Sequence, residues 1–202
     1  MKINTNSKLS IKSDPTPFLK LIFKFASAML GLTLLLVGLL VPRANAETNF
    51  SMADTGFILA ADQSGMTEVK LGELAITNGK GDDVRDLGLM MVKDHTAINN
   101  DLKALAAQKG VILPDNLDAE HQAIVDKMAA LTGSDFDHAY TRAMVKAHKK
   151  DAKAFKAEAA ATHDADIKIF VRKSIPVMEE HLQHVSANQL HSAASFTKAH
   201  NF

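Results

Sequence analysis

The chain has 202 residues, 47% apolar and 23% charged, which suits one globular domain with a real core. It has no Cys, so disulfides, thiol catalysis, iron–sulfur clusters, zinc–thiolate sites, covalently attached c-type haem and a Cys-linked lipid anchor are excluded. Residues 1–46 carry six of the 23 Lys/Arg and one of the 23 Asp/Glu, leaving 17 basic against 22 acidic residues and a net charge of −5 beyond, which argues against nucleic acid as a partner.

Met1 to Lys24 is polar and basic, and Phe25 to Val41 is a run of 17 residues without a charge. Pro42 and Arg43 end the run, and Ala44-Asn45-Ala46 then puts small residues where a signal peptidase reads them. That order predicts a secretory signal peptide cut after Ala46. The apolar run is near the lower limit for a spanning helix, so an uncleaved inner-membrane anchor is the alternative. Either way residues 47–202 are expected outside the cytoplasm, in the periplasm.

Residues 47–202 read as a single helical-bundle domain with its core at 54–190. Many Ala and Leu and few aromatic residues favour helices over strands. The first helix is expected from Ala53-Asp54, with Asp54 as N-cap, to Asn78-Gly79. The second is expected from Asp82-Asp83 to Gly110. Residues 111–133 form a connector that opens on the turn Leu113-Pro114-Asp115-Asn116 and holds a short helix at about 117–131. The third long helix is expected to start on Ser134 as N-cap and to end near Thr162-His163. The fourth should run from Asp164 to Leu190, kinked or broken at Pro176, with the last dozen residues a loose tail.

Each long helix carries one face at helical spacing. The first has Phe57, Ala61, Ser64, Glu68, Leu71, Gly72 and Ala75; the second Val84, Leu87, Met91, His95, Ile98, Leu102 and Leu105. The third has Tyr140, Met144, Ala147, Asp151, Phe155 and Glu158; the fourth Ile167, Phe170, Ser174, Met178, His181 and Val185. Four such helices predict an all-α four-helix bundle with a short extra helix in the long connector. That connector either crosses over, as in ferritin-like folds, or folds back.

Glu68 and Asp151 fall at the centres of two of these faces, and His95, His148 and His181 on the inner shoulders. Asp94, Glu180 and His184 lie further out. Glu68 is 12 residues before Lys80 and His95 is 15 after it; His148 is 15 before His163 and His181 is 18 after it. At 1.5 Å per residue the members of each pair differ by about 4–5 Å in height, so all four share one mid-bundle layer. Imidazoles and carboxylates converging there suit one divalent transition metal held by Glu68, His95, His148, Asp151 and His181. The competing reading is a polar core network with no cofactor, in which Glu68 pairs with a core His because an isolated buried charge is costly. His121, His138, His163, His191 and His200 have no place in the layer. The buried-spacing Met residues read as packing rather than as a copper-binding box. Met91-Val92-Lys93-Asp94-His95 and Met144-Val145-Lys146-Ala147-His148 match closely enough to suggest related halves.

Arg142, Lys146, Lys149, Lys153 and Lys156 line the outer face of the third long helix. This is a solvated face in the simplest reading, and a contact for anionic lipid or an acidic periplasmic protein in the sharper one. No glycine-rich phosphate loop, nucleophile elbow or Ser/His/Asp motif is present.

Several stretches together resemble a known family: Glu68-Val69-Lys70-Leu71-Gly72-Glu73-Leu74-Ala75, Met91 to His95, Leu113-Pro114, Phe136-Asp137 with Tyr140, Met144-Val145 with His148, and Pro176-Val177-Met178-Glu179-Glu180-His181-Leu182. The chain resembles an exported, ferritin-like bacterial family known only as a domain of unknown function, over residues 54–190. The resemblance implies a ferritin-like bundle outside the cytoplasm and no established activity. The wider ferritin-like class often places a Glu-x-x-His on two helices of a di-iron site. Here Val92 stands three residues before His95 and Met178 three before His181, so di-iron chemistry is not carried over. The leading functional expectation is a non-catalytic binding, structural or stress-related module of the periplasm; the alternative is a divalent metal-binding protein using the mid-bundle layer.

Overall fold

The computed structural model describes residues 49–200, with side chains as far as residue 189. The expected signal segment and its cleavage site lie outside the described residues. Five helices follow one another: α1 Met52–Asn78, α2 Asp82–Lys109, α3 Ala119–Ala129, α4 Gly133–Ala161 and α5 Ala165–His200. Among the described residues no helix is long and apolar enough to cross a membrane.

Contacts at the two ends fix the direction of each helix. At one end the α1–α2 turn meets the start of α4. The Asp137 carboxylate accepts from the Lys80 N–H at 2.9 Å and the Gly81 N–H at 3.0 Å, and Gly79 pairs with Gly133 in an isolated parallel bridge. At the other end α2 meets the α4–α5 turn, where Lys109 Nζ donates to Asp164 at 2.6 Å and Asp166 at 2.7 Å. So α2 and α4 run parallel, and the connector carrying α3 travels the length of the bundle. This is the crossover of a ferritin-like bundle rather than a fold-back. Gln63 on α1 holds the crossover down: its Nε2 donates to the Asn116 carbonyl (3.2 Å) and its Oε1 accepts from the Asp118 N–H (2.8 Å).

The core is two apolar clusters. One contains Leu71, Val84, Met91, Phe136, Tyr140 and Met144; the other contains Ile58, Leu102, Phe155, Ile167, Phe170 and Met178. Between them sits a layer of buried polar side chains. The α1–α2 hairpin closes tightly at Gly72 and Gly88, where an added Cβ would lie 2.9 Å from the Gly88 carbonyl and 2.7 Å from the Gly72 carbonyl respectively.

Several boundaries differ from expectation for local reasons. Ser51, not Asp54, is the N-cap of α1; Asp54 is the third helical residue and returns a hydrogen bond to Ser51 in a capping box. Helix α4 begins at Gly133 after Thr132, without the expected Ser134 cap. Its first turn is instead tied down by Asp137. Helix α5 runs through Pro176 without a break, and its backbone stays helical to His200, so the expected loose tail is helical. Asp164 caps α5, its Oδ1 accepting from the N–H groups of Asp166 and Ile167. On α1 the buried face is centred on Ile58 rather than Phe57, which is only half-buried.

Candidate metal centre

The polar layer gathers side chains from α1, α2, α4 and α5. His95, His148 and His181 are each at most 1% exposed, and Glu68 is 3% exposed. His95 Nε2 lies 3.4 Å from His148 Nε2, and His148 Nε2 lies 3.2 Å from His181 Nδ1. The three rings are thus arranged with one nitrogen each around a common point. These three histidines form the cluster of metal-competent side chains among the described residues.

The outer nitrogens decide which inner nitrogens carry lone pairs. His148 Nδ1 lies 3.0 Å from the Met144 carbonyl. A carbonyl only accepts, so Nδ1 bears the hydrogen and Nε2 is bare in the neutral ring. His181 Nε2 lies 3.1 Å from Asp94 Oδ2, so there too the outer nitrogen donates and the inner Nδ1 is bare. Two bare lone pairs therefore face each other across 3.2 Å. That contact is repulsive unless a metal ion or a proton lies between the two nitrogens. Burial and the neighbouring imidazole hold His148 down to about 4, and burial holds His181 below its ordinary value despite Asp94. His95 is held well below its ordinary value by burial and by the other two rings.

Glu68 backs the triad. Its Oε2 is 3.0 Å from His95 Nδ1 and its Oε1 is 3.5 Å from His148 Nδ1, yet neither approach makes a hydrogen bond. Burial, and then the nearby Asp151, push the Glu68 carboxyl well above the usual range. Whichever side of the Glu68–His95 contact holds the proton, the His148–His181 conflict remains. Glu68 Oε1, His95 Nδ1 and the Tyr140 hydroxyl are all buried without a hydrogen bond, a cluster of unmet polar groups of the kind a bound ion or water satisfies.

The geometry fits a metal. Three nitrogens about 2.0–2.1 Å from a tetrahedral ion lie about 3.3–3.4 Å from one another, and the measured separations are 3.4 and 3.2 Å. Three ligands leave one position open. A void of about 10 Å³ bordered by Glu68, His95, Asp151 and Met178 adjoins the site, at the lower limit for one water.

Of the five residues expected as ligands, the structure brings three imidazoles together. Glu68 stands against their outer nitrogens. Asp151 is engaged elsewhere, accepting from the Ser64 hydroxyl at 2.8 Å. Asp94, expected further out, reaches His181 from the shoulder of α2. Its signal was its place immediately before His95, one step round the helix towards α5. The basic residues Arg142, Lys146, Lys149, Lys153 and Lys156 are exposed on α4, and Lys156 pairs with Glu179 of α5 at 2.6 Å.

Three solved chains share the fold. A DUF305 fragment from Deinococcus radiodurans matches with a TM-score of 0.60 and 13% identity, over 68% of this chain and 95% of that one. CopM in its Cu(I)-bound form matches with a TM-score of 0.52 and 14% identity, over 73% and 98%. CopM in its Ag-bound form gives a TM-score of 0.51 at 14% identity, over the same shares. No curated protein matches. Residues 39–187 match the family described as "Domain of unknown function (DUF4142)", and the chain belongs to that family.

Proposed function

We propose that this DUF4142 chain is a transition-metal-binding module that holds one ion on His95 Nε2, His148 Nε2 and His181 Nδ1. The observation that carries the reading is the His148–His181 pair, whose facing nitrogens are both bare at 3.2 Å because Met144 and Asp94 take the outer N–H groups. A polar core network without a metal leaves that pair in conflict. Carboxylate and carbonyl partners on the far side of metal-ligating imidazoles are the usual way such rings are oriented. An all-imidazole set suits copper, zinc, nickel or iron. The fold shared with CopM, solved with Cu(I) and with Ag, favours copper among these. No catalytic activity is assigned.

On this reading the N-terminal segment is an export signal that delivers the site outside the cytoplasm. The basic face of α4 is then a docking surface for an acidic periplasmic protein or an anionic membrane, lost on charge reversal at Lys149 and Lys153. The metal reading is tested by titrating metal-free protein with Cu(I), Cu(II) and Zn(II) beside His148→Ala. One equivalent bound by the wild type and none by the variant is expected. Equal uptake by both would sink the assignment.

A further inference from the structure

A cavity of about 600 Å³ opens between α1, α3 and α4. It exists because α3 leans on α1 and barely touches α4. On α4 the row facing the gap is Ala139, Ala143 and Ala147, one residue per turn with almost no side chain to fill it. Leu71, Ile124, Met128 and Leu131 supply the rest of a mainly apolar wall. The volume is in the range of small-molecule sites.

Charge marks this space as more than a packing gap. Glu68 borders it but is only 3% exposed. At its mouth Lys127, Arg142, Lys146 and Lys150 stand against the single exposed acid Glu120. None of the four cations makes an ion pair among the described residues.

We propose that this cavity binds an amphipathic organic anion. Its carboxylate sits among the four cations and its apolar chain lies along the alanine row. The site is separate from the metal centre, and Glu68 stands between the two. It is therefore assayed on metal-free protein, where failure of the metal reading does not affect the result.

The probe is octanoate, measured by calorimetry against full-length protein, with octanamide as the comparison lacking the charge. One equivalent of octanoate should bind, several-fold tighter than the amide. Ala143→Phe, which fills the cavity, should weaken binding by about tenfold or more. The double variant Arg142→Gln/Lys146→Gln changes only exposed side chains and should weaken it by about fivefold with the helical circular dichroism unchanged. Absence of binding at millimolar probe, binding that survives both variants, or equal binding of the two probes would overturn the proposal.

Discussion

Replacing His148 by leucine removes the central nitrogen of the triad and keeps most of the volume. His148 is fully buried between two apolar clusters, so leucine is compatible with its surroundings. In the metal-free protein the change deletes a repulsive lone-pair contact and leaves the Met144 carbonyl with its helical partner. The expected cost in apo stability is therefore within about 1.5 kcal/mol either way, the range of volume-conserving core swaps. The metal-bound state responds differently. A ligand at 100 times its dissociation constant adds about 2.7 kcal/mol to the wild type. For a domain of this size that is a rise in Tm of about 5–11 °C. The assay is a thermal melt of both proteins with and without excess copper under reducing conditions. The wild type should shift by that amount and His148→Leu should not shift at all. An equal shift in both would refute the triad as the binding site. A loss of several kcal/mol in apo His148→Leu would refute the claim that the metal-free layer is in electrostatic conflict.

Three further perturbations act on separate parts of the molecule. Asp94→Asn keeps the size of the group that orients His181 but lets an amide N–H face the ring, and it should weaken metal binding about 10–100-fold with the fold intact; unchanged affinity would remove Asp94 from the site. Gly88→Ala places a Cβ 2.7 Å from the Gly72 carbonyl and 2.8 Å from Ala75 Cβ, so the α1–α2 hairpin must part. Chemical denaturation should show a loss of about 1–3 kcal/mol, and a neutral result would mean the close approach is not required. Glu158 is pushed up to about 7 by burial and by its hydrogen bond and charge contact with Asp54. In Asp54 burial is outweighed by hydrogen bonds from Ser51, Thr162 and Glu158, and it falls to about 2. A raised folded-state carboxyl stabilises below its unfolded value and loses that contribution as pH rises through 7. The urea midpoint of the wild type should thus fall between pH 5 and 8 relative to Glu158→Gln, and parallel profiles would contradict the pair.

The helices were legible because their apolar residues recur at helical spacing. All six positions expected to face inward on α5 are buried, and on α2 only Ile98 of seven is merely half-buried. Helix α1 is less legible. Its buried side carries Asp62, Gln63, Gly65 and Thr67, so hydrophobicity gives little contrast between its faces. Capping was ambiguous for a related reason. Ser51 and Asp54 are both good N-caps, and only the reciprocal hydrogen bonds show which begins the helix. The crossover was out of reach, because Gln63 reaches 53 residues ahead to hold it and nothing local announces that contact.

The candidate site followed the same division. Counting residues from the turns put Glu68, His95, His148 and His181 at one height, and the structure places them together. Periodicity set the histidines on shoulders, whereas they are the innermost groups of the layer. Which nitrogen of each ring points inward depends on Met144 and Asp94, one a backbone carbonyl and the other on a different helix. Only the folded chain supplies those partners.

The most direct test of the metal centre is elemental analysis joined to X-ray absorption on the protein purified without a His tag and reconstituted with copper. About one ion per chain is expected, coordinated by three imidazole nitrogens at about 2.0 Å. Protein that takes up no metal, or holds it in a shell of oxygens alone, would contradict it and leave the buried histidines as a core network.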